Sequence, residues 1–204
     1  MARNFVVKTW YDNGYMGQVG KHCENLFAKY AKTLGWTRHP ECESIADDMH
    51  KHIDQVYVVD ETGQEIKVQI KDTRHGTRGE EEILDSVCIE TKNGQGYPGT
   101  IYGDYDYFIY RVGTTFFIYD RKGLLVLVLK LVDFTKTAKR FIDCYKCRYQ
   151  RKGKKDEMTL LHFDDIVSAL VNKMEISKED ADEQTRFYHE MWDKWVAERD
   201  QNRR

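Results

Sequence analysis

The feature that most constrains this chain is a pair of segments, residues 53–59 and 65–71, that predict a β-hairpin. Both are rich in β-branched residues, and turn residues separate them. In the second segment apolar and polar residues alternate, so Gln69 and Lys71 point to the same face of the strand. Asp54 opens the first segment and lies near them across the hairpin. An acid, an amide and an ammonium group therefore meet at one end of a sheet.

The composition indicates one soluble domain. The chain has 204 residues, of which 32% are charged and 41% are apolar, and this length is sufficient for one well-packed core. No run reaches the roughly 18 apolar residues that a membrane span needs. Five cysteines without a signal peptide indicate a reducing compartment, so we expect a cytoplasmic location. A net charge of −2 excludes the general basicity of a simple nucleic-acid binder, so any DNA affinity must come from a local patch.

The order of the predicted elements favours an α/β or α+β layer fold, with a central mixed sheet flanked by helices. A helix over residues 18–34 has one apolar stripe, with Glu24 on its flank. A second hairpin, at residues 105–112 and 115–119, is almost continuously apolar, as in a central strand. Residues 124–132 favour another strand, with a short helix as the alternative.

The C-terminal third is predicted to be a basic segment followed by helices. Residues 135–155 contain many lysines and arginines, a single acid and interleaved aromatic residues. This pattern fits either a solvated basic face or a DNA-contacting surface. One helix is predicted to begin at Phe163. Ser177 with Asp180 indicates the start of another, which continues over residues 181–200 with one apolar side. We accordingly divide the chain into a core, residues 1–134, and a C-terminal part, residues 135–204.

Two groups of potential zinc ligands lack the spacing of a common structural zinc site. Cys144 and Cys147 form a CxxC pair without a second pair nearby, so zinc or redox use is only an alternative. The other group is His39, Cys42, His50 and His52.

A helix carrying Glu24, then Asp54 at a strand start, then Gln69-Ile70-Lys71 on the paired strand resembles the PD-(D/E)XK nuclease superfamily. The resemblance extends over residues 18–119. Gln69 replaces the acid usual at that position, and this Gln-x-Lys variant resembles the intron-encoded homing endonuclease branch. Ile53 stands where the superfamily often has proline. The resemblance implies a restriction-endonuclease-like core.

These residue types suit metal-dependent phosphodiester hydrolysis. Asp54 is the first expected ligand of a hard divalent ion, Mg²⁺ or Mn²⁺, and Gln69 and Ile70 offer an amide and a backbone oxygen. Glu24 binds the metal or holds a ligating water. Lys71 orients the attacking water or stabilises the charged transition state. Because Gln69 removes one negative charge, a non-catalytic DNA- or protein-binding module on a decayed nuclease fold stays open.

The expected partner is double-stranded DNA. A basic loop after Lys71 contains Arg74, His75 and Arg78, which suit phosphate contacts. Cutting both strands requires two active sites, so the chemistry and the resemblance imply a homodimer or a dimer of dimers. A Holliday-junction-resolvase-like nuclease is the alternative within the superfamily. Further expected DNA contacts are Lys139, Arg140, Lys146, Arg148, Arg151 and Lys152.

Overall fold

The computed structural model describes residues 14–39, 51–72 and 85–201 of the chain. Within these ranges, single 3₁₀ turns at Thr100–Tyr102, Phe163–Asp165 and Val167–Ala169 connect some of the longer elements. The helices and strands, in chain order, are α1 (Tyr15–Ala31), β1 (Trp36–Arg38), β2 (Gln55–Val59), β3 (Glu65–Asp72), β4 (Ser86–Lys92), β5 (Tyr107–Val112), β6 (Thr115–Asp120), α2 (Arg121–Leu131), β7 (Asp133–Ala138), β8 (Cys147–Gln150), β9 (Glu157–His162), β10 (Leu170–Glu175) and α3 (Lys178–Gln201).

The central element is a six-stranded mixed sheet in the order β1-β2-β3-β5-β6-β10. Strands β3 and β5 are parallel, with Ile70 opposite Ile109, and the other neighbouring pairs are antiparallel. The hairpin predicted over residues 53–71 is present as β2 and β3, with Gln55 opposite Val68. The second predicted hairpin is present as β5 and β6. The prediction of a mixed central sheet flanked by helices is therefore confirmed.

Helices α1 and α3 cover one face of this sheet. Cys23 and Phe27 of α1 are buried in one cluster with Val68 and Ile70 of β3. The predicted apolar stripe of α1 is thus the face that packs on the sheet. A single 3₁₀ turn follows α1, and Gly35 ends it in the left-handed conformation, with φ of 70°.

The last helix begins where the sequence indicates and is tied to α1. The Ser177 hydroxyl accepts a hydrogen bond from the Asp180 backbone N–H at 3.2 Å, which caps the first turn of α3. The Asp180 carboxylate in turn accepts bonds from Lys29 Nζ, at 2.6 and 2.8 Å, and from the Tyr30 hydroxyl. Val19 packs against buried side chains of α3. These contacts hold the two helices together on the sheet.

A second, four-stranded sheet and helix α2 cover the opposite face. The strand order is β4-β9-β8-β7, and the sequence did not predict this sheet. Ile89 and Leu161 of the second sheet are buried in one cluster with Leu124 of α2 and Phe108 of β5. The central sheet is thus the middle of three layers.

The strand favoured over residues 124–132 is wrong, and the alternative helix is what forms. The Asp120 carboxylate accepts a hydrogen bond from the Gly123 N–H at 2.6 Å and caps α2. Leu124 and Val128, four residues apart, both point into the core. In the described ranges, no helix combines the length and the apolar character that crossing a membrane requires.

The helix predicted to begin at Phe163 is also wrong. Phe163–Asp165 forms only one 3₁₀ turn, because the chain then continues into β10 and pairs with β6, with Lys173 opposite Phe117. Sheet pairing supplies the backbone hydrogen bonds that a helix would otherwise make. Part of the basic segment, residues 135–155, likewise enters the second sheet as β7 and β8.

Candidate active site

The candidate site lies in a notch where two neighbouring strands differ in length. Strand β2 pairs with β3 only as far as Gln55 opposite Val68. Strand β3 runs on to Asp72 and keeps β5 as its neighbour on the other side. The residues of β3 beyond Val68 therefore have one edge that β2 leaves uncovered.

Asp54 lies at this notch, one residue before β2. Its backbone N–H donates to Val68 O at 2.9 Å, which extends the hairpin by one bond. Its Oδ2 accepts hydrogen bonds from the Ile70 backbone N–H, at 2.7 Å, and from the Gln69 side-chain amide. The side chain thus takes the place of the missing strand residue, which explains its fixed position.

Gln69 and Lys71 stand on the same face of β3, as the alternation predicts. Gln69 is 1% exposed, and its amide nitrogen is the group that faces Asp54. Within the described residues its Oε1 has no hydrogen-bond donor, so an oxygen ligand is available there. Lys71 is half-buried and forms no ion pair in the described part of the chain.

Glu24 lies on helix α1, and its negative charge acts on two buried groups of the core. Burial raises the pKa of the Tyr57 phenol, and the negative charge of Glu24 adds to this shift. Burial likewise raises the pKa of the Cys23 thiol, and the charges of Asp72, Glu24 and Asp54 contribute in the same direction. The charges of three carboxylates therefore act on one buried thiol.

A buried polar network next to this site was not predicted from the sequence. Arg111 Nε donates to Asp72 Oδ1 at 2.7 Å, and the two side chains are 1% and 9% exposed. The side-chain amide nitrogen of Gln184, on α3, donates to Asp72 Oδ2 at 2.7 Å and to Val19 O at 3.3 Å. The side-chain oxygen of Gln184 forms a further hydrogen bond with His22 Nδ1. One sequence feature indicates such a network, namely Arg111 inside the apolar strand β5, because a buried arginine needs an acidic partner.

The donor set suits a hard divalent cation that keeps several waters. Carboxylate and amide oxygens are the ligands of such ions, and Mg²⁺ is usually held by one or two carboxylates together with water and phosphate. In the described ranges no three His, Cys, Asp or Glu side chains come together as a metal site. Among the described residues, Asp54 and Gln69 are the oxygen donors that lie together at the notch.

The DNA contacts expected near the site divide into three groups. Arg74, His75 and Arg78 lie outside the described residues. Lys139 and Lys152 are exposed and have no ion pair in the described residues. The remaining four form ion pairs, namely Arg140 with Asp143, Lys146 with Asp165, Arg148 with Glu157 and Arg151 with Asp156.

The CxxC pair lies in the second sheet, away from the notch. Cys144 is fully buried, and this burial, with smaller contributions from Cys88 and Cys147, raises its pKa to about 12. Cys147 is half-buried and contacts Asp143 O at 3.8 Å. Both cysteines pack in the cluster beneath the second sheet, and among the described residues no cluster of three metal-ligating side chains includes them.

Comparison with known proteins assigns no family to this chain. No known family and no curated protein matches the sequence. A solved structure of a bacterial homing endonuclease is similar in fold, with 17% sequence identity and a TM-score of 0.39 over 55% of this chain and 74% of the other. The chemistry of the notch, rather than this similarity, is therefore the basis for assigning a function.

Proposed function

We propose that this chain is a divalent-metal-dependent DNA endonuclease of the PD-(D/E)XK type that hydrolyses phosphodiester bonds. The observation that carries the proposal is the bonding of Asp54 to the Ile70 N–H and the Gln69 amide, at the point where β3 leaves β2. Lys71 stands on the same face of β3, two residues after Gln69. An acid on one strand end, with an amide and a cation on the adjoining one, resembles the superfamily motif, with Gln69 in the place of its usual second acid.

Asp54, Gln69 and Glu24 would hold Mg²⁺ or Mn²⁺ in this site. The Asp54 carboxylate supplies oxygen atoms, the ligand type that these ions prefer. Gln69 needs only its Oε1 for a ligand bond, and its nitrogen keeps the bond to Asp54. The ion would supply charge neutralisation at the phosphate and a nucleophilic water. Ile70, whose N–H holds Asp54, orients that ligand whether or not its carbonyl also binds.

Lys71 supplies a positive charge that no acid among the described residues neutralises. It forms no ion pair within the described residues, and an ammonium group has three N–H donors. Those donors serve a phosphate oxygen or orient the attacking water, and both roles favour the transition state over the ground state. Glu24, on α1, contributes further negative charge, which acts on the same buried thiol as the charge of Asp54.

Double-strand cutting requires two such sites, and we therefore propose a homodimer or a dimer of dimers acting on duplex DNA within the cell. The Gln-x-Lys variant favours a site-specific homing endonuclease. A Holliday-junction-resolvase-like specificity is the variant of this proposal for branched DNA.

One observation favours a second candidate, a non-catalytic DNA- or protein-binding module. The Gln69 amide nitrogen, not its oxygen, faces Asp54, so the two side chains satisfy each other without an ion. A site that had lost its metal would be stabilised in this way. The cleavage experiment below separates the two functions.

The deciding experiment incubates the protein with supercoiled plasmid and with genomic DNA, in Mg²⁺, Mn²⁺ or EDTA. We expect metal-dependent nicking or linearisation that falls by about 10² or more in Asp54→Asn and Lys71→Met. Lys67→Met is the matched control, because Lys67 lies on the same face of β3, two pleats from Lys71. This control should cut within about twofold of the wild type, since Lys67 lies outside the notch.

Undiminished cutting by both site variants would refute the assignment of Asp54 and Lys71. Duplex binding without any product, in either metal and on genomic DNA, would instead support the non-catalytic module. Thermal unfolding of each variant shows whether a loss of cutting reflects a loss of folding.

A further inference from the structure

At one end of the second sheet, the chain leaves β4, β7 and β8 and enters β9. Strands β7 and β8 are parallel, with Ala138 opposite Tyr149, so both leave the sheet at the same end. Strand β9 begins at this end and β4 finishes there, because Lys92 is opposite Glu157. The turn after β8, the residue after β7 and the loop after β4 are therefore neighbours.

Exposed lysines concentrate at this end. Most cations of the basic segment are neutralised by acids, several of which lie outside the segment. The four that form no ion pair in the described residues all follow β7 or β8, and we refer to them as the lysine cluster. Its members are Lys139, Lys152, Lys154 and Lys155.

An ordered loop presents an aromatic side chain beside this cluster. Asn93 Oδ1 accepts hydrogen bonds from the N–H groups of Gln95 and Tyr97 at 3.0 Å each, and the Asn93 N–H donates to Tyr97 O at 2.9 Å. A Cβ on Gly96 would lie 3.1 Å from Lys155 Cδ, so the loop and the cluster are in contact. The Tyr97 side chain is 64% exposed, although its backbone is fixed by these bonds. A fixed backbone with an exposed ring is the geometry of a contact residue.

The same loop leads directly to the notch. After Tyr97 the chain forms the turn Thr100–Tyr102 and then Gly103, whose neighbour Asp104 donates to Lys51 O at 2.7 Å. Asp54 follows Lys51 by three residues. Asp104 follows Tyr97 by seven residues, which span at most roughly 25 Å, so Tyr97 lies within about seven base pairs of rise of that junction.

We propose that the lysine cluster and Tyr97 form a docking surface for the duplex DNA that enters the notch. This inference rests on the proposed function and adds the surface that contacts the duplex beside the cleavage site. The lysines contact phosphates, which neutralises charge without reading sequence. The Tyr97 ring packs against the sugars and bases of the adjoining groove. The chain carries a net charge of −2, so this local concentration of unpaired cations is what attracts the polyanion.

The test measures binding of a fluorescent duplex by anisotropy, in EDTA, over a range of salt concentrations. Cleavage is not needed for this readout, so failure of the proposed function does not obscure it. The lysine-cluster variant changes all four lysines to glutamine, and the control changes Lys122, Lys130, Lys178 and Lys194, which are exposed elsewhere. We expect the slope of log K against log salt to become shallower by about 3 in the cluster variant, and to be unchanged in the control.

The contribution of Tyr97 is tested with two further variants in the same binding measurement. Tyr97→Ala should weaken binding about fivefold or more without changing the salt slope, and Tyr97→Phe should retain most of the affinity. Equal slopes in the cluster variant and its control would overturn the docking surface, as would a wild-type protein that does not bind the duplex. A cluster variant that loses duplex binding while the wild type never cuts would leave the docking surface standing and remove the nuclease.

Discussion

The carboxylate of Asp54 accepts a hydrogen bond from the backbone N–H of Ile70 at 2.7 Å, across 16 positions of sequence. This bond closes the end of the β2–β3 hairpin with a side chain instead of a strand residue. The group that completes the sheet is therefore also the proposed metal ligand. Asp54 therefore contributes both to stability and to the proposed function, and the isosteric substitution Asp54→Asn separates the two contributions.

We predict that Asp54→Ala destabilises the protein by about 1–3 kcal/mol, because the Ile70 N–H loses its acceptor in a half-buried site. Asp54→Asn should cost less, since the amide oxygen still accepts that bond. Urea unfolding measures both values. Calorimetric titration with Mn²⁺ should then show binding to the wild type and none to either variant. Equal stability of Asp54→Ala and wild type would mean that Ile70 does not depend on this carboxylate.

Arg111 and Asp72 form the buried ion pair of the site region, and removal of one partner leaves the other charge uncompensated. Arg111→Met should therefore cost about 3–5 kcal/mol in the free energy of unfolding. The double variant Arg111→Met with Asp72→Asn should cost less than the sum of the two single changes, because it leaves no isolated charge. Denaturant unfolding of the four proteins tests this, and strict additivity would contradict the pairing.

Local patterns in the sequence identify the notch but not the network beside it. Gln69, Lys71 and Asp54 follow from period-two alternation and from one hairpin, which are short-range features. The bond from Gln184 to Asp72 spans 112 positions, so no local pattern encodes it. Gln184 also gives no sign of burial in an otherwise charged helix.

The ion pairs of the basic segment were likewise not predictable from local sequence patterns. Residues 135–155 contain one acid, yet Asp165, Asp156 and Glu157 neutralise cations within it. Glu157 arrives through the pairing of β8 with β9, which was not predicted. Asp156 directly precedes β9, and Asp165 lies in the 3₁₀ turn that follows it. The short strands of the second sheet have weak alternation, and α2 is apolar enough to resemble a strand. Tertiary pairing, rather than propensity, decides these elements.

Gly103 is predicted to be required for the position of Asp54. A Cβ at this position would lie 2.7 Å from Lys51 O and 2.7 Å from His52 Cβ, so Gly103→Ala must displace the segment that precedes Asp54. We expect a loss of about 1–3 kcal/mol in stability together with loss of cleavage. Gly20→Ala is the matched control, because nothing lies within 4 Å of its added methyl group. It should stabilise helix α1 slightly and leave cleavage unchanged. Normal cleavage by Gly103→Ala would show that the segment tolerates the shift.

The link between α1 and α3 should depend on pH through Asp180. The hydrogen bond from Lys29, followed by that from Tyr30, holds the pKa of Asp180 below its usual value, and the same bond raises the pKa of Lys29. A carboxyl whose folded pKa is depressed stabilises the fold fully above its unfolded pKa of about 3.9. That contribution is lost as the pH falls through the folded pKa. On the alkaline side it is lost as the pH rises above about 10.4, through the raised pKa of Lys29.

The difference in melting temperature between the wild type and Asp180→Asn measures this contribution. We expect it to be constant near neutral pH and to shrink towards zero as the solution becomes acidic enough to protonate Asp180 in the folded state. Asp182→Asn, two residues along the same helix, removes the same charge from an exposed position and controls for net charge. A difference that persists unchanged in strong acid, or an equal pH dependence in Asp182→Asn, would show that the bonds of Asp180 do not tie α3 to α1.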